Sequence, residues 1–217
     1  MKIIFLDIDG VLNGYGWFKS LFRRFLVKIG FWKRSDGLSQ ISPFRCKYLF
    51  KILKKFPDAK VVMSSSWRYA WNRDGSLSDD KQLRQEPVDR YFRKHGLNLY
   101  GTTCVNVETN LWEKYDDIDW EICKNLVENE HKRQCNLYIP KEQFLTYARG
   151  SQILSWFLEN NLNANGHEFV ILEDDFMDVC CYNYLKPHTV ITKFYGRNYG
   201  LRKSHYKKAC EILKGKL

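Results

Sequence analysis

Three short apolar runs in this chain each stop on a residue that carries oxygen chemistry, and this constrains the fold more than any other feature. Lys2–Leu6 (KIIFL) stops at Asp7, Lys60–Met63 (KVVM) at Ser64, and Phe169–Leu172 (FVIL) at Glu173, Asp174 and Asp175. Such runs, rich in β-branched and aromatic residues, are too short for helices and read as buried strands. A weaker fourth run, Thr189–Thr192 (TVIT), has the same character. Helical patterns stand between them, at Pro43–Lys55 ahead of the second run and Ser151–Asn160 ahead of the third. The alternation predicts an α/β fold, a Rossmann-like parallel sheet with helices on both faces. Such sheets bind ligands at the carboxyl ends of their strands, which is where these acids and the serine fall.

At 217 residues the chain is expected to be a single domain. Its core is placed at about 1–12, 40–66 and 148–217, with insertions at about 13–39 and 67–147. Hydrophobic residues make up 44% and charged residues 28%, which excludes disorder as the main state. No apolar run reaches about 18 residues, so no transmembrane segment is expected. Acids follow the first apolar run too closely for a signal peptide. Seven cysteines, an odd number with no C-x-x-C pair, predict reduced thiols and a cytoplasmic, reducing location. His131 and Cys135 have a metal-like spacing, but no second pair completes a zinc site.

The net charge of +10 favours polyanions or phosphorylated substrates. The excess is uneven. After Leu185, nine lysines and arginines from Lys186 to Lys216 face one acid, Glu211, with Tyr195 and Tyr199 among them. Such a tail could track a nucleic-acid backbone and stack a terminal base, or be a solvated helix face. Trp17 to Trp32 is basic and aromatic with helical spacing. It reads either as a membrane-surface or nucleic-acid helix or as an amphipathic helix packed on the body.

The strongest chemical signal is Phe5-Leu6-Asp7-Ile8-Asp9-Gly10. Two carboxylates two residues apart at a strand end point to one side. Buried together they repel, and so call for a cation or a shared proton. Mg²⁺, a hard ion bound by oxygen, suits them. Gly10 permits a sharp turn away from the site. The Ser64 hydroxyl can donate to a phosphate oxygen, while Ser65 and Ser66 could bind with it or cap the next helix. Among Asp174, Asp175 and Asp178, a carboxylate could complete a metal site with Asp7. Arg149, ahead of the helix that leads into the third run, could neutralise a transferring phosphoryl group.

In this order, D-x-D-G, strand-serine, arginine and strand-acidic-Asp, the chain resembles the haloacid dehalogenase (HAD) superfamily of phosphohydrolases. Asp7 and Asp9 match its first motif, Ser64 its second, Arg149 its third and Asp174 its fourth, with Asp178 at the end of the acidic-Asp-x-x-x-Asp form. Glu173 stands where glycine is frequent. The segments Ser64-Ser65-Ser66-Trp67-Arg68, Gly101-Thr102-Thr103, Arg149-Gly150-x-x-Ile153 and Leu172-Glu173-Asp174-Asp175 are similar to the HAD domains grouped with Swiss-army-knife RNA-repair proteins.

The resemblance implies phosphate monoester hydrolysis through an aspartyl-phosphate on Asp7, with Asp9 as acid and base. It implies Ser64, Ser65, Gly10 and Arg149 around the phosphate, and Mg²⁺ held by Asp7, Asp9 (through its carbonyl), Asp174 and Asp178. The third motif is usually lysine, and Lys141 is the alternative to Arg149. An arginine keeps a purely electrostatic role. The expected substrates are nucleic-acid ends, or alternatively a small metabolite or nucleotide. A non-catalytic polyanion-binding module on a HAD scaffold is the reading from a different class.

Overall fold

The computed structural model describes residues 1–13, 41–80, 85–104, 107, 117–119, 148–196 and 198–216. The Trp17–Trp32 stretch, His131, Cys135 and Lys141 lie outside the described residues. Five parallel strands form the sheet: β1 (Lys2–Leu6), β2 (Lys60–Met63), β3 (Leu99–Thr102), β4 (Glu168–Glu173) and β5 (Thr189–Ile191). Their order is β3-β2-β1-β4-β5. The chain runs outward from β1 on one side, then returns to β4 on the other. That reversal creates a crevice at the carboxyl ends of β1 and β4.

The helices are α1 (Pro43–Lys55), α2 (Glu86–Lys94), α3 (Arg149–Glu159), α4 (Phe176–Cys180) and α5 (Lys203–Ile212). Alternate residues of each strand face opposite sides. Ile4, Leu6, Val61, Met63, Val170 and Leu172 therefore join the layer of α1, α2 and α5. Ile3, Phe5, Val62, Phe169 and Ile171 join that of α3 and α4. On this second face Phe5 sits edge-on to Trp156 and Phe157, both at 5.4 Å between ring centres.

β3 falls inside the segment 67–147 that the sequence reads as an insertion. It is instead the edge strand of the sheet, and α2 places Val88 and Phe92 in the core. β3 and α2 of that stretch thus pack with the sheet. Leu-Tyr-Gly-Thr has no continuous apolar run because the edge position buries just Gly101 and Thr102. Within the rest of that segment, Asp119 accepts from Lys186 at 2.7 Å and Asp117 from Asn183 at 2.9 Å. No described helix is long and apolar enough to cross a membrane. Cys46, Cys104, Cys180, Cys181 and Cys210 are all buried thiols.

Candidate active site

The site is built one residue beyond the strand ends. The Asp7 amide donates to the Leu172 carbonyl at 3.0 Å and the Ser64 amide to the Leu6 carbonyl at 2.8 Å. The Thr103 amide reaches the Met63 carbonyl at 3.0 Å and the Thr192 amide the Glu173 carbonyl at 2.8 Å. These bonds extend the ladder by one step, so Asp7, Ser64, Thr103 and the Glu173-Asp174 pair lie on one rigid ledge.

Asp7, Glu173 and Asp174 converge there, each with a carboxylate oxygen within 4.8 Å of the others. Gly10 makes the approach possible. Its φ is +69°, and a Cβ there would lie 2.2 Å from the Asp174 Cγ. The Asp7 carboxyl is pushed up to about 7, chiefly by burial and then by the Asp174 and Asp9 charges, against Arg149 and a Ser65 hydrogen bond. Burial also raises Glu173 well above the ordinary glutamate range, and the Asp7 charge adds to it. Asp174 is raised as well, first by burial. The donor set is all carboxylate oxygen, without histidine or cysteine, which fits a hard divalent cation such as Mg²⁺.

Asp9 is not one of that trio, although its charge acts on Asp7 and Asp174. Its Oδ1 accepts from Asn13 Nδ2 at 2.7 Å, and its Oδ2 from Trp67 Nε1 at 3.1 Å and Ser66 Oγ at 3.5 Å. Asn13 Oδ1 in turn accepts from the Gly10 amide at 2.9 Å. The Asp9 side chain is thus aimed by Asn13, Trp67 and Ser66.

Arg149 opens α3. Its amide donates to Asp178 Oδ1 at 2.9 Å, so Asp178 binds the start of that helix. Gly150 lets the helix come this close, since a Cβ there would lie 2.8 Å from the Val179 carbonyl. The Arg149 Nε lies 3.7 Å from Glu173 Oε2 and 3.6 Å from Asp178 Oδ2. Its Nε and Nη1 are buried without a hydrogen-bond partner. Burial pulls this guanidinium down, but Glu173, Asp178, Asp7 and Asp174 together hold it above its ordinary value. Ser64 Oγ is likewise buried and without a partner. Buried donors without partners are costly and mark a place for an anion.

Of the residues expected from the sequence, Asp7, Asp174, Arg149, Ser64, Ser65 and Gly10 meet at the crevice. Asp178 is committed to the helix end rather than to the converging trio. Sequence reasoning passed over Glu173, Asn13 and Trp67 as parts of the site. It also passed over Arg68, whose buried Nη1 donates to the Ser65 carbonyl at 3.0 Å. Burial, and then the nearby Arg149 charge, lower Arg68. Trp67 and Arg68 directly follow the serine triplet, which was the available signal for them.

Comparison with known proteins adds one finding. The family model described as "HAD domain in Swiss Army Knife RNA repair proteins" matches residues 3–205. None of the curated proteins and none of the solved structures matches the chain.

Proposed function

Because the chain belongs to the family of HAD domains found in Swiss Army Knife RNA repair proteins, we propose that it hydrolyses phosphate monoesters through an aspartyl-phosphate on Asp7. HAD domains are in general phosphohydrolases. The observation that carries the reading is the meeting of a buried carboxylate, Asp7, with partnerless donors on Ser64 and Arg149. A phosphoryl group in the crevice would satisfy those donors, and the Arg149 charge would offset part of its own.

In the first step a carboxylate oxygen of Asp7 forms a bond to phosphorus while the bond to the leaving oxygen breaks. Asp9, held by Asn13 and Trp67, gives that oxygen its proton. In the second step water attacks phosphorus, Asp9 takes the water's proton, and Asp7 leaves with its carboxylate restored. Arg149 and Ser64 hold the transferring oxygens throughout, and positioning of this kind is most of what phosphoryl transfer requires. A Mg²⁺ ion held by Asp7 and Asp174 would supply the counter-charge that keeps Asp7 ionised and lets an anionic substrate approach.

The substrate class proposed is a phosphorylated nucleic-acid end. The family is that of HAD domains in RNA repair proteins, and the neighbourhood of the site has suitable chemistry. The loop after β5 is stitched to the loop after β1: Thr192 Oγ1 donates to the Gly10 carbonyl and the Leu201 amide to the Val11 carbonyl, both at 2.7 Å. That loop carries Lys193 and Tyr195, the latter 72% exposed, and leads into α5 at Lys203. Beside it, Phe44 is 55% exposed with Lys47 Nζ 3.6 Å from its ring centre.

The basic tail is divided, however. Lys208 donates to the Thr189 carbonyl at the opposite end of β5, and Lys186 is paired with Asp119. Lys193 and Lys203, which flank the loop stitched to the site, are therefore the residues to reverse, and not Lys208.

The test compares kcat/KM for a 5′- or 3′-phosphorylated oligonucleotide and an aryl phosphate at two salt concentrations. Asp7→Asn should lose both activities by orders of magnitude. Lys193→Glu with Lys203→Glu should raise KM for the oligonucleotide and spare the aryl phosphate. The salt slope should be about −0.7 per phosphate neutralised. Activity of Asp7→Asn above about a tenth of wild type would sink the mechanism. Equal salt dependence for both substrates would remove nucleic acid as the substrate.

A further inference from the structure

We propose that Arg68 is a second arginine of the phosphate site, donating from its Nε–H to the transferring phosphoryl group alongside Arg149 and Ser64. The inference rests on the reading of the crevice as a site of phosphoryl transfer to Asp7. Arg68 stands in the 3-10 turn Ser66–Ala70 that follows Ser64 and Ser65, and is 8% exposed. One corner of its guanidinium is anchored, where Nη1 donates to the Ser65 carbonyl at 3.0 Å. The Tyr69 ring centre lies 5.3 Å from its Cζ. Its Nε is buried with no hydrogen-bond partner.

A buried arginine ordinarily has a carboxylate to meet it. Arg149 has two, Glu173 at 3.7 Å and Asp178 at 3.6 Å. None of the ion pairs among the described residues includes Arg68. The strongest charge acting on Arg68 is instead the like charge of Arg149, and Arg68 in turn acts on Asp178. Two guanidiniums kept close together out of water repel, and an anion received between them offsets that repulsion.

The other bare donors of the crevice have the same need. Ser64 Oγ and Arg149 Nε and Nη1 are buried without partners, as Arg68 Nε is. Ser64 and Arg68 are linked through Ser65, whose hydroxyl bonds the Asp7 carboxyl and whose carbonyl holds Nη1. A phosphoryl group has several acceptor oxygens and receives donors from separate elements at once. Bracing the turn through the Ser65 carbonyl occupies Nη1 alone and gives no use for the buried Nε.

Arg68→Lys separates the bracing role from the phosphate role. Lysine keeps the charge and can still donate to the Ser65 carbonyl, but it has a methylene where Nε stood. Its kcat/KM for an aryl phosphate should fall, and its inhibition by orthovanadate weaken, each by about tenfold or more. Wild-type values for both would leave Arg68 as a brace and overturn the proposal. A second measurement uses the wild-type protein and does not depend on the variant folding. Inorganic phosphate is titrated in, and the arginine Nε–H resonances are followed by nitrogen-proton NMR. The Arg68 resonance should shift together with that of Arg149. A shift of Arg149 without one of Arg68 would overturn the proposal. Asp7→Asn is the control for the underlying reading. If it is inactive while Arg68→Lys matches wild type, the role of Arg68 alone falls. If it keeps its activity, the phosphoryl-transfer reading falls and the role of Arg68 with it.

Discussion

Without a cation, Asp7 keeps its proton up to about pH 7, first because burial penalises the charge and then because Asp174 and Asp9 lie close by. In the unfolded chain the same group ionises near its ordinary value of 3.8. Between those values the folded state holds a proton that the unfolded state has released. The contribution of Asp7 to stability is therefore full below about pH 4 and is lost as the pH rises through about 7. In EDTA, Asp7→Asn should raise the unfolding temperature by a few degrees at about pH 8 and give no gain at about pH 4. Thermal scans at the two pH values measure this, and an equal gain at both would contradict it. Asp7 and Asp9 were legible in the sequence, because two carboxylates at the end of an apolar run have few structural uses. Glu173 was not. An acid beside Asp174 and Asp175 looks the same in sequence whether it caps a solvated turn or is sealed under Arg149, and that depends on where α3 lands.

Elements turn these residues into a working arrangement through their ends. The apolar runs gave β1, β2, β4 and β5 within a residue or so, and α1 as expected. The start of α3 was expected at Ser151 but lies at Arg149. That small shift puts Arg149 in the first turn and gives Asp178 an amide to bind. No local pattern reveals it, since the partner of that amide is 29 residues away. β3 was missed for a related reason, its burial being set by an edge position and not by its own composition. The 3-10 turn at Ser66–Ala70 is the element that aims Asp9, through Trp67 Nε1. Trp67→Phe removes that donor and keeps most of the packing. We expect kcat for an aryl phosphate to fall about tenfold, with a stability loss near 1 kcal/mol. Steady-state kinetics with urea unfolding checks this, and an unchanged kcat would show that Asp9 needs no such support.

Across the whole molecule, one sheet separates two apolar layers, and the layer of α3 and α4 is the more aromatic. Phe157 lies fully buried between Phe5, at 5.4 Å, and Phe169, at 5.1 Å. Phe157→Ala should cost about 3–5 kcal/mol, measured as a lower urea midpoint with an unchanged slope. A loss under about 1 kcal/mol would mean that the face can collapse around the gap. Charge is arranged on this scale too, with Lys208 bound to the Thr189 carbonyl at the amino end of β5 and Lys186 paired with Asp119. The sheet order also bears on how the protein is made. Of the five strands β1 is made first yet occupies the middle of the sheet, and its neighbour β4 follows about 160 residues later. At about 5–20 residues per second, that is roughly ten to thirty seconds of synthesis. Throughout that interval Ile3, Ile4 and Phe5 have an open edge on one side, a template for pairing with other nascent chains. The converging carboxylates come together when Glu173 and Asp174 join Asp7, so a product terminated before them would lack that group and be prone to aggregate.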